Sequence, residues 1–149
     1  QAILTDLKAA VSLVTDDFIY ISYEPIFTQE DDQYIQLVPG VPSAVAEQAG
    51  IGLVTEEFEV AVWSRLYLDH GRQSTERFAN ATYGVLKIMS QIRSGLIGNY
   101  PDSSEGGTVV ASLPIVYVRG SRLFETPDRP GWCFMSDTYR IGYEIAWGD

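Results

Sequence analysis

Between Phe58 and Leu68 apolar and polar side chains alternate, and this run constrains the fold more than any other stretch of the chain. Phe58, Val60, Val62, Leu66 and Leu68 fall on one side, while Glu57, Glu59, Trp63, Arg65, Tyr67 and Asp69 fall on the other. A period of two, carried by β-branched and aromatic residues, predicts a long strand over Glu57–Asp69 with one side against a core. Asp69-His70-Gly71 breaks the pattern. Ser74 can then cap a helix whose first turn carries Glu76, where the helix dipole favours an acid. Phe78, Thr82, Val85, Met89, Ile92 and Leu96 follow at steps of three or four, a single helical stripe reaching Ile97. Gly98 and Pro101 stand where such a helix ends.

The flanking sequence extends this scaffold. Ile3, Leu7, Ala10 or Val11, and Val14 have the spacing of a short amphipathic helix ending before Asp16-Asp17. Phe18–Tyr23 predicts a strand halted by Pro25, and Gln33–Val38 a second alternating strand, with the polar, acidic Thr28–Asp32 as the turn between them. Pro39–Glu56, with two prolines, Gly50, Gly52 and many small residues, reads as a long loop holding at most a helical turn around Ser43–Gln48. After the polar link Asp102–Gly107 come two β segments, Leu113–Glu125 and Trp132–Trp147, joined by the turn-forming Thr126–Gly131. In the second, Tyr139, Ile141, Tyr143, Ile145 and Trp147 share one side, opposite Thr138, Arg140, Gly142, Glu144 and Ala146. Gly120 marks either a bulge or a tight turn with Ser121. The expected fold is a single α+β domain over residues 1–149: a mainly antiparallel sheet, two helices packed on one face, and a long C-terminal β-hairpin. No glycine-rich turn links a strand to a following helix, so a nucleotide-binding fold has no support.

Charge narrows the function classes. The formal net charge is −10, and between Lys8 and Arg65 ten acidic residues occur with no Lys or Arg. A protein that grips nucleic-acid phosphates needs the opposite balance. An acidic surface repels phosphate and can pair with a basic surface on a neighbour. The longest stretch without charge, Gln33 to Ala46, is 14 residues with two prolines, too short to span a bilayer. The start at Gln1 without Met predicts an N-terminus processed or left out. The single Cys133 excludes an internal disulfide and a multi-cysteine metal site, and its alternating surroundings predict a buried thiol.

Candidate chemistry is sparse. His70 beside Asp69 could orient an imidazole as a base, but no nucleophile accompanies it, and a surface or loop-capping histidine fits as well. Glu57 and Glu59 have the spacing of paired carboxylates, which a cross-strand salt bridge or a subunit contact explains more simply. Asp16-Asp17 and Asp31-Asp32 lack calcium-loop spacing. The expectation is therefore a protein that is not an enzyme, with no catalytic residue, metal or cofactor. Trp63, Arg65 and Tyr67 stand on the side away from the core stripe. If the helices cover the Phe58 side only, this aromatic and arginine mixture lies on an open sheet face suited to binding; the alternative is a sheet covered on both faces.

The order of elements resembles the tail terminator proteins of long-tailed bacteriophages, particularly the lambda type. The likeness lies in an N-terminal helix, a strand ending near a proline, an acidic loop, a long outward strand and a second long helix. It is strongest in the ending, with Val116-Tyr117-Val118-Arg119, a charged turn, Gly131-Trp132 and Thr138-Tyr139-Arg140-Ile141-Gly142-Tyr143-Glu144. The chain departs from the family in its long Pro39–Glu56 segment. The resemblance implies a structural virion protein of the tail or neck, assembled in the host cytoplasm, forming a homo-oligomeric ring, hexameric in that family. Such a ring docks on the tail tube protein, ends its polymerisation, and offers a face to head–tail connector or neck proteins. DNA passes through without specific binding, and no membrane is involved. Trp63, Arg65, Tyr67, Glu57, Glu59 and Arg129 become candidates for subunit or partner contacts, and Glu30, Asp31 and Asp32 for an acidic lumen or loop. Pro39–Glu56 and Pro127–Gly131 are expected to reach neighbours. A head–tail connector of related fold is the alternative, and a small hydrolase or nuclease built on Asp69-His70 or the acidic loop a remote one.

Overall fold

Two strands of 15 residues, β4 (Ile51–Arg65) and β7 (Trp132–Ala146), pair antiparallel from Ile51 opposite Ala146 to Arg65 opposite Trp132, and everything else is built on them. The computed structural model describes residues 2–24, 33–40, 42–48, 51–65, 84–100, 110–121, 124–125 and 132–146. In chain order the remaining elements are α1 (Ala2–Ala10), a 3₁₀ turn (Asp16–Phe18), β1 (Ile19–Ile21), β2 (Gln33–Val38), β3 (Pro42–Gln48), α2 (Val85–Leu96), β5 (Val110–Gly120) and β6 (Phe124–Glu125). The fold is α+β. The sheet runs β1-β2-β4-β7-β5, with β3 also on β4 and β6 also on β7. All described pairings are antiparallel except β1 with β2, which is parallel, so the sheet is mixed.

The alternation at Phe58, Val60 and Val62 does what it predicts. These side chains meet Ile35 and Leu37 of β2 and Tyr139 and Ile141 of β7 in the main core, under both helices. Helix α2 contributes Val85, Ile88, Met89, Ile92 and Leu96, all buried, each stabilising by roughly 1.5–3 kcal/mol relative to exposure. The single helix expected over Ser74–Ile97 is not continuous: it begins at Val85, because its N-cap Gly84 is extended (φ −70°, ψ 163°), and 74–83 lie outside the described residues. Leu4, Leu7, Val11 and Val14 close the core from the N-terminal side. The helices approach closely because Gly95 of α2 faces Ala10 of α1, and a Cβ at Gly95 would overlap the Ala10 methyl. Gly98, at φ +80°, ends α2 as the sequence predicts. Past it, the Gly98 N–H donates to the Ile115 carbonyl (2.8 Å) and the Ile115 N–H donates to the Asn99 carbonyl (2.9 Å), stitching the helix end to β5. The Asn99 side chain also donates to Asp6 of α1 at 2.8 Å.

Several expectations are corrected. Pro39–Glu56 is not a loop with a helical turn at Ser43–Gln48: β3 and the first residues of β4 form a hairpin, with Gln48 opposite Ile51. The central strand therefore begins at Ile51, six residues before Glu57, and is described to Arg65. Strands β2 and β3 line the same edge of β4, Val38 opposite Glu59 and Pro42 opposite Glu56, so the partner of β4 changes beside Phe58 and Glu57. At this change the Gly40 backbone lies against the Glu57 carbonyl where no side chain would fit. Phe18–Tyr23 gives a 3₁₀ turn before a three-residue strand. Leu113–Glu125 divides into β5 and β6. Gly120 is the last residue of β5, and the nearest bulge falls before it, between Tyr117 and Arg119.

Candidate assembly surface

The sheet has a second face, and its two ends differ. Toward Arg65 it is aromatic. Trp63 stacks on Phe134 (ring centroids 4.6 Å apart), Tyr34 meets Phe18 edge-on (5.2 Å) and tilts against Trp132 (5.5 Å), and the Arg65 guanidinium lies 5.1 Å from the Trp132 ring centroid. These rings meet because the register sets Tyr34 and Phe134 on either side of Trp63. The Trp63 indole N–H donates to Gln36 Oε1 at 3.0 Å, and Gln36 Nε2 donates to the Ser22 carbonyl at 2.9 Å, so these two buried side chains are hydrogen-bonded. Trp63 is only 6% exposed and Tyr34 1%. Of the two alternatives for this face, the covered one holds at Trp63: here the sheet is buried on both faces. Arg65 is half-buried, and Tyr67 lies outside the described residues.

Toward Ile51 the same face is charged and open. Glu57 stands opposite Arg140 in the register, and Arg140 Nη2 donates to Glu57 Oε1 at 2.8 Å, with Arg119 Nη1 of β5 3.8 Å from Oε2. The hydrogen bond from Arg140, with help from both positive charges, holds the Glu57 carboxyl below its usual range. Glu59, Thr138, Pro39 and Gly40 complete the walls of a cleft of about 620 Å³. The side chains remain largely in water: Arg119 is 66% exposed, Arg140 47% and Glu57 40%. Beside them Leu113 and Val116 of β5 are exposed apolar side chains. The cross-strand salt bridge expected at Glu57 exists, with Arg140 and Arg119 as its partners.

The helix-side face holds a different ion pair that the sequence reading did not single out. Arg93 of α2 grips Asp137 of β7 with two hydrogen bonds, Nε to Oδ2 at 2.7 Å and Nη2 to Oδ1 at 2.9 Å, and the Tyr139 hydroxyl donates to Oδ2 at 3.0 Å. Asp137 is fully buried, and the Arg93 guanidinium also lies 5.3 Å from the Tyr117 ring centroid. The bond to Asp137 raises the Arg93 pKa further, and burial, then the neighbouring carboxylate, pushes the Tyr139 phenol well above its ordinary value. One signal for this site is in the sequence: Asp137 is in phase with Met135, Tyr139 and Ile141 on an otherwise apolar strand side, where an acid needs a partner.

Asp16 and Asp17 form the exposed 3₁₀ turn before β1. Cys133 is buried and its thiol points at the Ser64 carbonyl, 3.5 Å away. Glu30, Asp31, Asp32, Asp69, His70, Arg129 and the turn Pro127–Gly131 lie outside the described residues. Among the described residues no group of three or more His, Cys, Asp and Glu is placed to hold a metal, and no helix is long and apolar enough to cross a membrane.

No protein-family model matches the chain, and no curated protein matches it. One solved structure, of a protein whose name states no function, superposes with a TM-score of 0.48 at 14% identity, covering 96% of this chain and 86% of that one.

Proposed function

We propose that the protein is a structural component of a bacteriophage tail or neck, a ring-forming tail terminator that caps the tail tube, ends its growth and joins it to the head. The supporting observation is the arrangement of the C-terminal segment. Thr138–Glu144, part of the C-terminal ending that most resembles the lambda-type family, lies in β7 in the middle of the sheet, paired with β4. There it presents Arg140 to the open charged cleft and Tyr139 to the core. A long two-stranded spine, with helices on one side and an exposed charged and apolar surface at one end of the other, suits a protein whose work is contact with copies and neighbours. The strong negative charge suits a ring whose passing DNA must not be held.

Sedimentation velocity across a concentration series, with electron microscopy of the protein mixed with tail tubes of the same phage, tests this reading. Rings in solution or capping one tube end, together with shorter tubes when the protein is added during polymerisation, are expected. A protein that stays monomeric and leaves tube length unchanged overturns it.

A further inference from the structure

The geometry points to a head-to-tail contact between copies, in which the acidic β1 edge of one subunit seats on the arginine-bearing β5 edge of the next; this rests on the ring reading above. Strands β1 and β5 are the two ends of the main strand order, so their outward surfaces face in opposite directions across the sheet. A contact between two different edges is heterologous, the type that propagates around a ring.

Both edges carry interface chemistry. Of eight large apolar side chains exposed among the described residues, five lie there: Ile21 and Tyr23 at β1, and Leu113, Val116 and Tyr117 on β5. Tyr23 is the most exposed of the eight, at 76%. Their charges differ. The β1 edge is flanked by exposed Asp16, Asp17 and Glu24 with no cation among them, whereas the β5 side offers Arg119, 66% exposed, and on the neighbouring strand Arg140, the two sharing Glu57. On a chain of net charge −10, most approaches of one copy to another are repulsive. Acidic β1 edge to basic β5 edge is the orientation in which charge attracts, and mismatched orientations are disfavoured by like-charge contact.

The contact is made by side chains and not by adding a strand. The outward N–H and C=O of Ile115 already bond to Asn99 and Gly98, and Pro114 beside it has no N–H to offer. That is how a protein protects a sheet edge from backbone pairing while leaving its side chains available.

Engineered cysteines read this directly, because the native Cys133 is the only one in the chain and is buried. Tyr23→Cys and Val116→Cys are made separately and in one chain, each checked for an unchanged melting profile, then oxidised mildly under conditions where the parent assembles. Neither single variant cross-links with itself, an equimolar mixture gives dimers only, and the double variant gives a ladder ending in one closed species. Asp17→Arg weakens parent assembly about tenfold, and Arg119→Asp in the same chain restores it. Self-linked dimers of either single variant, or an unlinked mixture while the parent still forms rings, overturn this interface and leave the ring reading standing. A parent that remains monomeric alone and on tubes overturns both.

Discussion

Two arginine–carboxylate pairs sit on opposite faces of the same sheet with nearly equal contact distances, and their surroundings give them different roles. Arg93 reaches Asp137 at 2.7 Å, and Arg140 reaches Glu57 at 2.8 Å. Asp137 has no exposed side-chain surface, whereas Glu57 keeps 40% of its own. Between exposed groups the attraction competes with water and salt, and such a pair contributes little to stability. A buried carboxylate has lost its hydration and depends on its partners, here the Arg93 fork and the Tyr139 hydroxyl. The first pair therefore clamps α2 to β7. The second holds a charged surface in shape and leaves most of it available to a neighbour.

Removing one member from each pair breaks the comparison if the effects are similar. Arg93→Met leaves the Asp137 carboxylate buried with only the Tyr139 hydroxyl, and the expected loss is about 3 kcal/mol, the low end for a broken buried pair because Arg93 is itself part-exposed. In a domain of this size that lowers the melting temperature by roughly 6–12 °C in a calorimetric scan. Adding Asp137→Leu should recover most of the loss, since two apolar partners leave no stranded charge. A double variant no better than the single would show that shape, more than charge, holds this joint.

A second strain on the same helix comes from packing. Gly95→Val pushes a side chain into Ala10 and is expected to cost about 1–3 kcal/mol by denaturant titration. If stability is unchanged, the α1–α2 approach is not part of what the clamp fixes.

Tyr139→Phe sharpens the comparison on the alkaline side. The phenol's pKa is raised in the fold, so its share of stability stands in full below the ordinary value of 10.0 and is lost as pH rises toward the folded value. The variant should lose about 1 kcal/mol at neutral pH and show a shallower decline above pH 10 in a melting series, because Phe cannot ionise when unfolded. The smallest effect belongs to Glu57→Gln. The Glu57 carboxyl is held below its usual range, so its contribution is present above the ordinary carboxylate pKa and fades as pH falls through the lowered one. With the group in water, the melting temperature at pH 7 should not move, while the salt sensitivity of assembly should.

The elements that can be read locally were legible in the chain. Phe58, Val60 and Val62 carry their own period, the α2 stripe repeats at helical spacing, Gly98 ends the helix, and β2 and β7 match their alternating runs. The β3–β4 hairpin was not legible for two reasons. Ser43, Ala44 and Ala46 have little preference for a strand, and Pro39 and Pro42 argue against one; the ladder to β4 overrides both. Glu56 also falls in phase with Val54 and Phe58, which hides the start of β4. In the fold it lies opposite Ile141 and accepts a hydrogen bond from the Tyr143 hydroxyl at 3.3 Å. At the candidate surface, Glu57 was singled out, but Arg140 lies 83 residues away and only the β4–β7 register brings them together. The burial of Trp63 stayed open for the same reason, since Tyr34 and Phe134 reach it from two other strands.

Among the described residues the irregularities of pairing lie on the outside of β4 and β7. One border passes from β2 to β3 and shifts register between Ala44 and Ala46; the other shifts register three times along β5. A ladder spliced only along its borders can bow across the middle while its two inner rails stay whole, and that line runs through Glu57 and Arg140.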